Sequence, residues 1–420
     1  MATATNRYLI FFLSCFLVIF GFPGESVGIS AITNSILSTT GMGRNTFSVI
    51  YTFATITGSC LVLYTSPLID RLGIRKSTLC ALFLCAVLFL TFGNGEFLYS
   101  SVFCNILPHR VYLVIFFYVN LSLLRFVGQN MLPMLGRIQL VKVFSGKQGM
   151  AIAMGGVFVA IFSGLSPRIM HFLSDGNGWQ NAYVTLSAVA LIAFAVFFVL
   201  FVDVGQTTGV GPGKQRVGLK KAWEDISKKK LLKMPIFWCI MLPVCINSFI
   251  GSGSMVHIAD IFEENGRSAD IARDSCFYYC CISPLAGIFF GKLVDSNKIK
   301  HGILTMLGMQ FFALIGLELS KNIFGIFMYA LCIGCTWGGY GVLKTAAWSK
   351  IFGEKNIGSI LGLIYFCSAV VGAVSVSMMS FSREFFGSYF HLMHAIGVVI
   401  LVIMAFVIKY FPRMAHENYS

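Results

Sequence analysis

The chain has 420 residues, 57% of them apolar and only 11% charged, with a formal net charge of +14 and a mean hydropathy of +0.80. An ordinary soluble domain carries roughly a quarter charged residues, so the composition excludes a soluble enzyme. It also excludes a nucleic-acid-binding module, for which no basic soluble domain exists, and describes an all-α polytopic membrane protein.

Apolar runs of about 17 to 25 residues, the length that crosses a bilayer as a helix, recur twelve times. They fall near 8–31, 46–66, 77–93, 111–136, 149–172, 180–202, 235–261, 274–291, 302–319, 323–346, 358–381 and 389–411. The first is too long for a cleavable signal, is interrupted by Gly21, Pro23 and Gly24, and carries Glu25, so it predicts a retained helix. Between the second and third runs, Asp70, Arg71, Arg75 and Lys76 surround a turn-making Gly73, a tight basic hairpin. The same grammar returns 225 positions later, with Asp295 in the place of Asp70. A second echo links Phe144–Gly149, ahead of the fifth helix, to Phe352–Gly358, ahead of the eleventh, 208 positions on. Gly178-Trp179 before the sixth helix is matched by Gly387-Ser-Tyr389 before the twelfth. The chain therefore divides into two related six-helix bundles, 1–202 and 235–420. Between them, 203–234 begins glycine-rich, and its part from Leu219 to Met234 alternates apolar and basic residues at helical spacing, which predicts an amphipathic helix on the membrane surface.

Of the 31 basic residues, 23 fall in the even-numbered loops and at the two ends, seven on the other side, and Arg125 inside a helix. Basic loops stay in the cytoplasm, so both termini and the linker are expected there, in a cell membrane. Most of the thirteen cysteines lie inside helices, and neither Cys276/Cys280/Cys281 nor Cys332/Cys335 has a histidine beside it. They are expected to pack, not to bind metal. No cofactor is expected, and the absence of a His/Ser/Asp cluster gives no reason to expect an enzyme.

Transport sites form where helices are interrupted, because freed backbone groups are tolerated at membrane depth only beside a cavity. The first helix has Gly21, Pro23, Gly24 and Gly28, the fourth Gly128 and Pro133, the seventh Pro243, Gly251 and Gly253, and the tenth Gly334, Gly338, Gly339 and Gly341. Intramembrane charges are costly and usually functional, which singles out Glu25 and Arg125. Counting residues from the helix ends sets Arg125 near the bilayer middle and Glu25 several ångströms nearer the outside. Arg125 is expected to bind substrate, with Asn247, Trp337 and Tyr340 lining the other half of the cavity by position. Glu25 is expected to carry a coupled proton, with His257 as an outer group. Lys344, near the expected inner end of the tenth helix, is expected to snorkel to the surface.

The stretch Leu68-Ile-Asp70-Arg71-Leu-Gly73-Ile-Arg75-Lys76 resembles the signature loop of the major facilitator superfamily, and Arg125-Phe-Val-Gly128-Gln129 resembles its helix-four motif. Four further stretches resemble its monocarboxylate and oxalate/formate branch: Phe144–Gly149, Gly178-Trp179, Phe262–Ser268 and Phe352–Gly362. The resemblance implies two bundles around a central cavity that opens alternately to either side. The hairpin at Asp70, Arg71, Gly73 and Arg75, repeated at Asp295, is expected to act as a conformational latch, its carboxylate pairing with Arg71 or Arg75 or capping a neighbouring helix N-terminus. The basic residues that oxalate/formate carriers hold in helices eight and eleven are missing here, so a dicarboxylate is not expected. The expected function is a monomeric secondary transporter, moving a monocarboxylate or an amino acid by alternating access with a proton. A non-transporting nutrient receptor on the same fold and an organic-anion exchanger are the alternatives.

Overall fold

The computed structural model describes residues 4–144, 146–174, 178–200, 231–353 and 357–417. All but the last four residues of the expected linker helix lie outside these ranges. The described secondary structure is helical, and it groups into twelve long helices. The first, α1, runs Ala4–Phe20 and resumes as Ser26–Thr40; α2 is Arg44–Leu72 and α3 Ile74–Gly93. Next, α4 comprises His109–Leu124, a π-helical stretch Arg125–Met131, and Leu132–Val143; α5 is Gln148–Ser174 and α6 Gly178–Leu200. In the second half, α7 is Pro235–Val256 followed by Ile258–Glu264, α8 Ala269–Asp295 and α9 Ile299–Glu318. Finally, α10 is Ile323–Leu343 followed by Ala346–Phe352, α11 Ile357–Phe386 and α12 Phe390–Glu417. Ten of the twelve carry a window apolar enough to cross a membrane. Of the other two, α8 opens with Asp270, Arg273 and Asp274, and the apolar stretch counted in α5 is the shorter Gln148–Phe162.

The basic hairpin expected over Ser66–Lys76 is scarcely a loop. α2 continues through Asp70 and Arg71 to Leu72, and α3 begins at Ile74, so Gly73 alone is non-helical. Its φ of 82° and ψ of 163° lie in a region open essentially to glycine. Its N–H still donates to the Ile69 carbonyl and its own carbonyl accepts from Ser77 N–H, so no backbone group is lost at the corner. The repeat seen in the sequence has a backbone counterpart: Gly146 and Gly353 before α5 and α11, Gly178 at the first position of α6 and Gly387 before α12 all take positive φ.

Two compact units emerge, Met1–Val143 with Ile161–Gly211 and Phe144–Ala160 with Pro212–Ser420. The first unit is centred on an aromatic cluster in which Phe92 meets Phe116, Phe117, Trp179 and Tyr183. Rings so arranged add to the burial of their apolar area. In the second unit α8 and α10 meet backbone to backbone, since a Cβ on Gly338 would lie 2.3 Å from the Ser283 carbonyl oxygen. Such small-residue contacts are how helices approach closely in lipid. The first turns of α5 belong to this second unit because Gly149 lies directly against Gly291.

Candidate functional site

Within the first unit, α1 breaks where Pro23 removes a backbone N–H and its ring would meet the carbonyl four residues earlier. The chain passes through a short 3-10 turn at Phe22–Gly24, and Glu25 adopts an extended backbone (φ −83°, ψ 167°) before the helix resumes. The Tyr183 hydroxyl of α6 donates to the Pro23 carbonyl at 2.9 Å, satisfying an acceptor exposed by the break. In α4, Pro133 acts in the same way. It cannot donate to the carbonyl of Gln129, and the turns before it widen to the π-helical stretch that begins at Arg125. Local widening of this kind is frequent at functional sites.

The two interruptions face each other. A Cβ on Gly24 would lie 2.5 Å from the Leu124 carbonyl oxygen, and one on Gly128 would lie 2.7 Å from that of Gly21. Residue counting along straight helices separated Glu25 and Arg125 in depth; the contacts put them at one level. Both helices run longer than their apolar runs, to Thr40 and Val143, so distances counted from expected ends were misplaced. Arg125 is 1% exposed. One terminal nitrogen donates to Gln129 Oε1 at 2.7 Å, and the guanidinium carbon lies 4.1 Å from the centre of the Tyr51 ring. The Glu25 carboxylate acts on it electrostatically. Tyr51 and Tyr183 were not singled out in the sequence, where a tyrosine inside an apolar helix has no distinguishing signal, and Gln129 entered only as the last residue of the helix-four motif.

In the second unit a different group forms around Tyr340. Its hydroxyl lies 3.0 Å from Ser248 Oγ of α7 and accepts from Lys344 Nζ at 2.9 Å. Trp337 stands 6.0 Å from the Tyr340 ring, centre to centre, and is 36% exposed. Asn247 is not brought to this group. Its side-chain oxygen accepts from Gln310 of α9, which also donates to the Pro243 carbonyl. Lys344 does not reach a surface, contrary to expectation. α10 continues beyond it to Phe352, about 12 Å at 1.5 Å per residue, and the side chain is 7% exposed.

His257 occupies the break in α7. Its Nε2 lies 3.2 Å from the Val376 carbonyl oxygen and 3.2 Å from Ser380 Oγ, and its Nδ1 lies 3.7 Å from Asp260 Oδ2. Tyr389 completes the group by donating to Asp260 at 3.3 Å. Burial, reinforced by Asp260, pushes the Tyr389 phenol above its ordinary range, so it remains a donor. Glu264 accepts from Arg383 at 2.9 Å and from Ser388, while Asn265 donates to the Leu317 carbonyl and to Ser320. The Phe262–Ser268 stretch thus ties the end of α7 to α9, α11 and α12. His257 belongs to this brace, nine residues or about 14 Å along α7 from Ser248.

Of the latch residues, Asp295 has the most explicit geometry. Its two carboxylate oxygens accept from the Gly149 and Met150 backbone N–H groups at 2.8 and 2.9 Å, capping the first turn of α5. A carboxylate at a helix N-terminus satisfies orphan donors and meets the positive end of the dipole. The Lys350 ammonium donates to the Asp295 backbone carbonyl at 3.3 Å. Arg75 is spent within the first unit, donating to the Phe198 carbonyl near the end of α6 at 3.2 Å. Asp70 is half-buried and Arg71 exposed.

The profile of the Major Facilitator Superfamily matches residues 8–376. The chain belongs to that superfamily. No curated protein sequence gives a match. The proton:xylose symporter XylE bound to 6-bromo-6-deoxy-D-glucose aligns with a TM-score of 0.70 at 14% identity, over 97% of this chain and 96% of that one. The superfamily transporter FucP in its outward conformation gives 0.66 at 11% identity, over 96% and 98%. An E. coli fucose:proton symporter structure gives 0.65 at 12%, over 96% and 98%. At such identities the likeness is one of fold, a twelve-helix superfamily fold along the whole chain, and the chain is a transporter of that superfamily.

Proposed function

We propose that this superfamily transporter is a proton-coupled secondary carrier of a small carboxylate-bearing metabolite, a monocarboxylate or an amino acid, as in the monocarboxylate branch its sequence resembles. The observation that carries this reading is the meeting of the α1 break with the π-helical stretch of α4, which sets Glu25 beside the buried Arg125.

A guanidinium stays charged at every relevant pH, and burying it is tolerable only with compensation. Tyr51 and Gln129 supply part of that compensation, and the ionised Glu25 supplies the charge. When Glu25 takes up a proton, its hold on Arg125 lapses and the cargo carboxylate replaces it as the counter-charge. Release of the cargo lets Glu25 ionise again, so one proton travels with one carboxylate, a step that is electroneutral for a monocarboxylate and carries one positive charge for a zwitterionic amino acid. Trp337 and Tyr340 are proposed as the second unit's contacts with the cargo. Asn247, held by Gln310, serves it indirectly, and His257 belongs to the coupling path only through the brace it joins. Asp295 is proposed as a latch whose grip on α5 is broken and remade as access alternates, with Asp70, Arg71, Gly73 and Arg75 as its counterpart in the first half. The basic bias places both termini in the cytoplasm of a cell-membrane protein.

Uptake into proteoliposomes of a labelled panel of monocarboxylates, amino acids, xylose and fucose, with and without an inward proton gradient, tests the reading. Gradient-driven accumulation of a carboxylate is the expected outcome. Exchange indifferent to pH identifies an organic-anion exchanger instead, and accumulation of a neutral sugar alone refutes the carboxylate.

A further inference from the structure

Arg125 and Lys344 are the two charged side chains buried among the described residues. They are compensated differently. Arg125 has Glu25 acting on its charge, whereas Lys344 Nζ has one hydrogen-bond acceptor, the Tyr340 hydroxyl at 2.9 Å. It also faces two aromatic rings, with Tyr365 at 3.9 Å and Tyr340 at 5.0 Å from ring centre to nitrogen. No carboxylate among the described residues lies within ion-pair distance of it. An ammonium carries three donors, and cation–π contacts offset a buried charge only in part. The Lys344 side chain is therefore enclosed, with one hydrogen-bond acceptor and no carboxylate beside it among the described residues.

The helix beside it leaves room for that group. Trp337, Gly341 and Lys344 recur at spacings of four and three along α10 and so share one face. A Cβ on Gly341 would meet nothing within 4 Å, unlike one on Gly338 or Gly339 of the same helix, which would collide with Ser283 or Phe290. Open space at Gly341 is thus flanked by the part-exposed Trp337 indole and the buried ammonium. Packing alone does not require a glycine there.

We propose that Lys344, with the Tyr340 hydroxyl, forms an anion-binding site in the second unit, in the open space over Gly341, that takes the cargo's single carboxylate in exchange with Arg125 and not at the same time. The proposal rests on the reading of the protein as a carrier, but not on proton coupling. Tyr340 orients the contact. Its hydroxyl accepts from Lys344 and is itself anchored by Ser248, which leaves two of the three ammonium donors for a bound anion. The break at Thr345 (φ −126°, ψ −61°) allows α10 to turn past this point without displacing the side chain.

Binding is read on the purified full-length protein, by titrating lactate, succinate and inorganic phosphate and following thermal unfolding and tryptophan emission. Saturable stabilisation by lactate or succinate is expected in the wild type, with Lys344→Met at least tenfold weaker, Lys344→Arg within about threefold, and Gly341→Leu as weak as Lys344→Met because the hollow is filled. Tyr340→Phe is expected to fall between. A purely structural lysine would lower the unfolding temperature of the unliganded Lys344→Met protein while leaving the carboxylate affinity of the folded fraction unchanged, and that result overturns the proposal. So does the absence of saturable carboxylate binding to the wild type, or saturation by phosphate alone. Gradient-driven uptake of the same anions by Arg125→Lys separates the two readings. If uptake is lost while lactate still binds through Lys344, the anion site stands apart from the coupling site. If no cargo moves in any variant while binding persists, the carrier reading fails and the anion site remains.

Discussion

At the scale of single residues, the charge on Arg125 and its planar fork are separable. Arg125→Lys keeps the charge but cannot make a two-pronged contact, so cargo affinity should fall by about 1.5–3 kcal/mol, the worth of a charge-assisted hydrogen bond. The check is the KM for uptake, with exchange measured in parallel. Glu25→Gln removes the titrating group while keeping its size. It should abolish uphill accumulation driven by a proton gradient and leave cargo exchange across the membrane intact; accumulation that survives removes Glu25 from the coupling role. Both residues were legible in the sequence because a charge in an apolar run is conspicuous. Their juxtaposition was not, because it depends on helices that outrun their apolar stretches. Lys344 shows the converse error. A lysine near the expected end of a helix looks free to snorkel, and only the extension of α10 to Phe352 encloses it.

At the scale of elements, the start of α5 and the α2–α3 corner make contrasting predictions. Asp295→Ala removes both acceptors from the Gly149 and Met150 N–H groups. Hydrogen exchange at those two amides should accelerate by at least tenfold while the rest of α8 is unchanged, and transport should slow; unaltered exchange would show that water or another side chain caps α5 equally well. Gly73→Ala meets no steric obstacle, since nothing lies within 4 Å of its Cβ position. Its cost is conformational, about 1–3 kcal/mol for a residue other than glycine in that backbone region, and thermal unfolding in detergent measures it. A loss well below that range would mean the corner relaxes. The glycine was recognisable in the sequence as a turn. Its isolation between two uninterrupted helices was not, because Asp70, Arg71, Arg75 and Lys76 have the polarity of a loop while their backbones complete helical turns.

At the scale of the whole molecule, the bias of 23 of 31 basic residues predicts the side on which each corner lies. On a cysteine-free background, a cysteine placed at the exposed Arg71 should resist an impermeant thiol reagent added outside intact cells, and one at the exposed Lys321 should react. Labelling of the first without permeabilisation would invert the topology. The internal repeat carries over this scale as well, since paired glycines of positive φ mark the starts of α5 and α11, and of α6 and α12. The two units nevertheless differ in where they hold charge: the first buries an arginine with a carboxylate acting on it, the second a lysine that lacks one.

The sequence by itself determined the membrane class, the twelve helices and the repeat, because each depends on hydropathy, length and spacing, which are properties of neighbours along the chain. It also marked the interruptions in α1 and α4, since proline and glycine act on their own backbone, but α7 runs through Pro243, Gly251 and Gly253 and α10 through Gly334 to Gly341, and these two helices break instead at His257 and Thr345. The tertiary structure alone decided what those interruptions meet. Glu25 lies level with Arg125, Asp295 caps α5, Asn247 is taken up by Gln310, and Lys344 is enclosed by Tyr340 and Tyr365. Each joins residues from different helices, and the register between helices is set by close backbone contacts, such as Gly24 on Leu124 and Gly149 on Gly291, that leave no period in a single sequence.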